Sequence, residues 1–370
     1  MVPSGPQGYN QSAKLLNPDI ALDGLFALSQ FNQDNPLVFV GGHDPHQTGF
    51  NLQQVELTLG ASIDPYFRAD ANLVLTSEGI EVEEAYATTT ALPADLQVKA
   101  GQFLTGFGRF NPTHPHAWDF VNMPLVMGRF FGGDGLRNPG AQVSWLTPLP
   151  WYSEIIGSAQ NSTGETAPSF MPDGKMRTLG DGIFLGRWSN FIPLGETLSL
   201  NVGASYLNGR NAETPQVERT QIVGGDIYLK FRETSELSFI SLQAEVLKRW
   251  YGLEDGTRPS DWGSYVQLNY RLPGAWERWH VGVRYDLVGD KNGVPVATAG
   301  TYTAPDGTPD LDRDTSRRFR VSPVVTFYPS EFSKLRLQYD YDKPSSWDNA
   351  QQVVTFQFEF LMGAHGAHKF

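Results

Sequence analysis

The chain has 370 residues and no cysteine, with 38 glycines, 25 prolines, 18% charged and 12% aromatic residues, and a formal charge of −12. That mixture excludes a coiled coil, a disulfide scaffold, a zinc–thiolate centre and a catalytic thiol, and its acidic balance without basic runs argues against a nucleic-acid partner. No stretch approaches the ~18 consecutive apolar residues of a spanning helix, whereas a mean hydropathy of −0.32 is compatible with a membrane β-barrel, whose strands alternate faces.

The opening MVPSGPQGYNQS has neither a basic n-region nor an apolar h-region, so residues 1–19 read as a periplasmic segment of a mature chain. From residue 20 to 362 the dominant period is two, with no boundary for a second domain. Val55, Leu57 and Leu59 share one face, as do Phe67, Ala69, Ala71, Leu73 and Leu75. The same alternation returns at Leu198-Leu200-Val202-Ala204-Tyr206, Ile240-Leu242-Ala244-Val246 and Val266-Leu268-Tyr270-Leu272. It continues through Trp279-Val281-Val283-Tyr285-Leu287 and Leu335-Leu337-Tyr339-Tyr341, and is clearest at Val354-Phe356-Phe358-Phe360, which alternate with Thr355, Gln357 and Glu359. One face suits hydrocarbon and the other water.

The connections separate a barrel from a soluble sandwich. Tight turns fall near 64–65, 92–95, 148–150, 193–196, 233–236, 273–275 and 329–330, and between them lie mostly longer polar stretches at 32–48, 77–79, 106–137, 162–180, 209–219, 251–261, 289–316 and 343–348. This predicts an all-β fold: an antiparallel transmembrane barrel of sixteen strands, with short turns on one side and longer loops on the other. Sixteen strands of about 10–11 residues use about 170 residues and leave about 200 for connections. Trp151-Tyr152, Trp250-Tyr251, Trp276, Trp279 and Phe327-Tyr328 flank the apolar bands where interfacial girdles belong. Residues 363–370 form a C-terminal tail, and either Phe360 or Phe370 is the terminal aromatic.

The third long loop, 106–137, reads GFGRFNPTHPHAWDFVNMPLVMGRFFGGDGLR and carries too many large apolar residues to stand in water. It is expected to fold inward against the barrel wall and constrict the pore. Arg109, His114, His116, Asp119, Arg129 and Arg137 are the constriction candidates. Alternation assigns Arg271, Arg278, Arg284, Arg318, Arg320, Lys334 and Arg336 to the luminal face against Asp286, Asp340 and Glu359, a basic wall that favours anions. A wall of balanced salt bridges is the competing reading.

Six of the seven histidines form pairs, His43 with His46, His114 with His116 and His365 with His368, and neutral imidazole ligates zinc or copper. Solvated loop residues are the alternative. Asp306, Asp310, Asp312 and Asp314 supply oxygen donors dense enough for calcium, yet lack the glycine and glutamate positions of a twelve-residue calcium loop. No organic cofactor is expected. Enzymatic activity is not expected either, because His280 and Asp286, the one acid–base pair on an inward strand face, stand about 20 Å apart along the strand.

The runs VEEAYATTTALPADLQVKAGQF, FGRFNPTHPHAWDFVNMPL and GLRNPGAQVSWLTP resemble the phosphate-selective porin family and, more closely, a group of outer-membrane proteins labelled zinc-regulated TonB-dependent receptors. The match covers roughly residues 80–150, the remainder matching only as a strand pattern. The resemblance implies a sixteen-stranded barrel in the outer membrane of a Gram-negative bacterium, assembled by the barrel machinery among lipid and lipopolysaccharide, and a homotrimer. A porin-like channel for passive, anion-leaning passage of small solutes is the expected function. A structural or partner barrel in an outer-membrane assembly, and a metal-binding receptor, are the alternatives.

Overall fold

A computed structural model describes residues 18–33, 41–75, 79–164, 166–171, 174–212, 218–232, 237–290, 317–345 and 347–363. Sixteen antiparallel strands close into one barrel. They are β1 (Asp19–Phe31), β2 (Gly49–Ser62), β3 (Phe67–Leu75), β4 (Ile80–Thr89), β5 (Leu96–Leu104), β6 (Arg137–Leu146), β7 (Tyr152–Gln160) and β8 (Ile183–Pro193), then β9 (Leu198–Arg210), β10 (Arg219–Arg232), β11 (Phe239–Tyr251), β12 (Ser260–Arg271), β13 (Trp279–Val288), β14 (Arg318–Ser330), β15 (Ser333–Pro344) and β16 (Gln351–Gly363). Sequence neighbours pair throughout, and β1 pairs with β16, so no strand edge is left open. The expected strand count and the expected alternation of short and long connections are borne out. The expected end segments 1–19 and 363–370 lie almost wholly outside the described residues, as do the acidic residues 306–314 and the His365–His368 pair.

Period-two patterning explains the strands. In β16, Val354, Phe356 and Phe358 point outward and remain exposed, while Val353, Thr355 and Gln357 are buried inside. At the closing seam the outward pairs are Phe26 with Phe358 and Leu28 with Phe356, and inward Ser29 meets Thr355 at 3.1 Å. At the short-turn rim Trp279 packs on Phe327 with ring centres 4.7 Å apart and lies 6.4 Å from Trp276. Tyr328 leaves the expected girdle and faces inward onto His280. Across the outer face of β2–β7 the register aligns six alanines side by side: Ala61, Ala69, Ala87, Ala100, Ala141 and Ala159.

Two bulges matter for what lies inside. Between β1 and β2 the pairing steps from Leu25–Gln54 to Phe26–Leu52, leaving Gln53 as the extra residue. Between β3 and β4 it steps from Asn72–Glu84 to Leu73–Val82, leaving Glu83. A bulge brings two consecutive side chains to one face, so Gln53 with Gln54 and Glu83 with Glu84 are all buried.

Candidate functional site: a loop folded inside the barrel

The connection from β5 to β6, residues 105–136, enters the barrel. Asn111 ties its two ends together, donating to the carbonyls of Thr105 (2.7 Å) and Leu136 (3.0 Å) and accepting from the Leu136 N–H (2.9 Å). Gly108 turns the chain with φ of +61°, where a Cβ would stand 2.1 Å from Glu245 Oε2. Only glycine combines that conformation with that approach. Glu245 on β11 then accepts the N–H of Phe110 (2.7 Å), the N–H of Arg109 (3.2 Å) and the Tyr265 hydroxyl (2.8 Å).

The loop's large apolar side chains fill the barrel. Phe107, Phe110, Trp118, Phe130, Phe131 and Leu136, with Leu125 and Val126 of helix α1 (Leu125–Phe131), form one cluster with the inward-facing Ile183, Leu185, Leu207, Ile222, Leu247 and Val288. These inward apolar wall residues depart from the polar luminal pattern at the place where the loop docks. Arg249 clamps the far side, bidentate to Asp261 (2.9 and 2.6 Å), over the Phe130 ring at 4.5 Å and donating to Ser169, which itself donates to the Phe130 carbonyl at 2.6 Å.

Residues 113–123 make a different contact. Cations of β13–β15 hold successive loop carbonyls: Lys334 that of His116 (2.5 Å), Arg336 that of Trp118 (2.8 Å), Arg284 that of Asn122 (2.8 Å) and Arg320 that of Met123. Along the wall Arg284 and Arg320 pair with Asp286 (2.8 and 3.4 Å), Arg318 with Asp342 and Lys334 with Glu359. Arg336 also donates to Gln357. Arg284, Arg318, Arg320 and Lys334 of this wall thus stand in ion pairs with carboxylates, while Arg336 is engaged by neutral acceptors. Asp119 accepts from Gln267 (2.9 Å) and Asn269 (3.0 Å), and burial raises its carboxyl above the ordinary value against the pull of Arg336 and Lys334. Asp44, in the first loop, accepts the N–H groups of Met123 (2.9 Å) and Gly41 (3.2 Å), and burial pushes it up to about 6.

The remaining face of the loop meets β2 and β4. His114 Nδ1 lies 3.1 Å from Glu83 and 3.5 Å from Glu56, its Nε2 lies 2.9 Å from Glu84, and His116 Nδ1 lies 3.5 Å from Glu56. The two rings stack 5.7 Å apart. Burial opposes a charge on His114, yet Glu56 and Glu83 outweigh it and hold the imidazole well above its ordinary pKa.

Arg109, His114, His116, Asp119 and Arg129 thus all lie on the inserted loop. Arg109 stacks over Tyr228 at 4.0 Å and donates to Gln243, and Arg129 donates to the Gly289 carbonyl at 2.7 Å. Arg137, expected in the loop, is instead the first residue of β6 and pairs with Glu81 and, at 3.9 Å, Glu83. Arg278 does not line the lumen: β13 begins at Trp279, so the alternation was carried one residue too far, and Arg278 is exposed in the turn, donating to the Pro329 carbonyl. Arg271 sits at the same rim, bonded to the Glu277 carbonyl. His43 contacts the Gln53 carbonyl and Asp134, and His46 donates its backbone N–H to Asn51. His280 packs at the short-turn end while Asp286 is held by Arg284, so the structure does not bring them together. The carboxylates Glu56, Glu83, Glu84 and Glu245 escaped the sequence reading. The adjacent pair Glu83-Glu84 within an alternating strand was the available signal.

A closed sixteen-stranded antiparallel barrel is the architecture of the outer-membrane porins. The fold is similar to OprB of Pseudomonas putida (TM-score 0.61, 13% identity, covering 95% of this chain and 96% of that one), to the outer-membrane channel DcaP of Acinetobacter baumannii (0.59, 12%, 96% and 99%) and to an anion-selective porin from Comamonas acidovorans (0.57, 10%, 94% and 100%). At those identities the likeness concerns the fold. No family model matches the chain. The chain belongs to the same family as an uncharacterized protein of Aquifex aeolicus (strain VF5), with which it is 33% identical over 364 residues, covering 89% of this chain and 73% of the relative. The naming as a zinc-regulated TonB-dependent receptor is not supported, because such receptors need 22 strands around a plug and this barrel has sixteen.

Proposed function

We propose that the protein is an outer-membrane channel for passive passage of small solutes, narrowed by the third loop. The observation that carries this reading is the loop itself: residues 107–136 hydrogen-bond or pack against the inner wall from β2 round to β15. A pore left along such a loop is lined by its polar side chains and sets selectivity there. Lys230 on β10 lies within electrostatic reach of Arg109, Arg232 and Arg271 and of Asp119, and the excess of cations over carboxylates in this group on the short-turn side supports a modest preference for anions. The wall from Arg284 to Arg336 contributes less, since Arg284, Arg318, Arg320 and Lys334 are already paired with carboxylates. The register-aligned row of six alanines gives a smooth outer face suited to close barrel–barrel packing, which supports association of barrels, and we read that association as a homotrimer. Ala87→Trp should then convert a cross-linked trimer to monomer.

The test of the channel reading is the zero-current potential of the refolded protein in a planar bilayer under a tenfold salt gradient. A potential of the sign set by anion permeation is expected. Cation preference overturns the anion assignment, and folded barrels without conductance overturn the channel in favour of a structural barrel.

A further inference from the structure

The geometry points to a divalent transition-metal site where the third loop meets β2 and β4, with Glu56 Oε2, Glu83 Oε2 and His114 Nδ1 as donors and His116 beside Glu56. Among the described residues, the group of three or more metal-capable side chains that converges to within 4.8 Å is Glu56, Glu83 and His114. A tetrahedral ion with bonds of about 2.0–2.1 Å places its donors about 3.3 Å apart. The separations here are 3.1 Å from His114 to Glu83, 3.5 Å from His114 to Glu56 and 3.5 Å from His116 to Glu56.

The groups behind the donors fit the same reading. A metal-bound imidazole donates its other N–H to a carboxylate, and His114 Nε2 lies 2.9 Å from Glu84 Oε2. Glu84 is itself fixed by the Leu104 N–H at 2.7 Å, and Glu56 by Gln54 (2.9 Å) and Thr58 (3.1 Å). Charge agrees as well. Glu56, Glu83 and Glu84 are buried, Arg137 is shared between Glu81 and Glu83, and the cradle is left net negative once the imidazoles are neutral, as metal ligation requires. A divalent ion cancels that charge. The mixed nitrogen and oxygen donor set favours zinc-like ions over calcium. Two ligands come from the wall and one from the loop, so the bound ion pins the loop to β2 and β4.

The experiment titrates zinc chloride calorimetrically into the refolded chain in detergent, and does not depend on conductance. We expect one zinc per chain with micromolar or tighter Kd, weakened about tenfold or more in Glu56→Gln and in His114→Gln and unchanged in His43→Gln. Binding no tighter than millimolar, or equal affinity in Glu56→Gln and His114→Gln, overturns the site. Heat-modifiable gel migration verifies folding. If either variant misfolds, cobalt chloride added to the wild-type barrel decides: intense visible bands of tetrahedral cobalt support the site, and their absence overturns it.

Discussion

The two halves of the third loop are held by opposite physics. Residues 107–110 and 125–136 bury aromatic and aliphatic side chains against apolar wall positions, whereas residues 113–123, apart from Trp118 and Met123 that join the same cluster, offer backbone carbonyls and two histidines to charged side chains. The apolar half gains from removing ring surface from water and tolerates no vacancy. The polar half depends on matched charges, so its strength responds to protons, ions and solutes. The difference assigns the apolar half to anchoring and the polar half to whatever the lumen recognises.

The sharpest way to break this comparison is to remove an anchor. Phe130→Ala should cost about 3–5 kcal/mol, read as a lower unfolding temperature together with new protease cleavage within 107–136. Arg284→Met should cost about 2 kcal/mol, because Asp286 and the Asn122 carbonyl lose a charged donor while Arg320 keeps Asp286 partly paired. Its signature is exchange of the amides of 119–123 with little change at 107–110. Asp44 links the first loop to this half, and its pKa near 6 lies above the ordinary 3.8. A raised carboxyl contributes stability that is fully present below about 3.8 and is lost as pH rises through 6. Wild type should therefore gain stability relative to Asp44→Asn between pH 7 and pH 4, measured by thermal unfolding at each pH. Smallest of all, Arg278→Ala at the exposed turn should stay within about 0.5 kcal/mol of wild type, unlike the buried Arg284 assigned with it to one wall.

Strand number, turn positions and the inward third loop were legible because period two, turn residues and loop hydrophobicity are local signals. The use made of the basic wall was not. Alternation gives Arg320 a face, but only the folded loop brings the Met123 carbonyl to it. The histidine pair His114 and His116 was visible as a pair, while its partner Glu56 lies 58 residues earlier and reaches it only through barrel closure. Glu83 enters the cradle through a bulge, which shifts the face of one residue and defeats a strict alternation. The apolar wall residues Leu207, Ile222 and Leu247 carry no local signal of their role, because the surface they cover belongs to another segment.

The central claim is that the third loop narrows the lumen, and single-channel conductance tests it most directly. The refolded wild type would be compared in one bilayer system with a variant in which residues 112–134 are replaced by a short glycine–serine linker, both verified as folded barrels. The account predicts small, discrete steps for the wild type and steps several-fold larger for the shortened loop. Equal conductance in the two would contradict it.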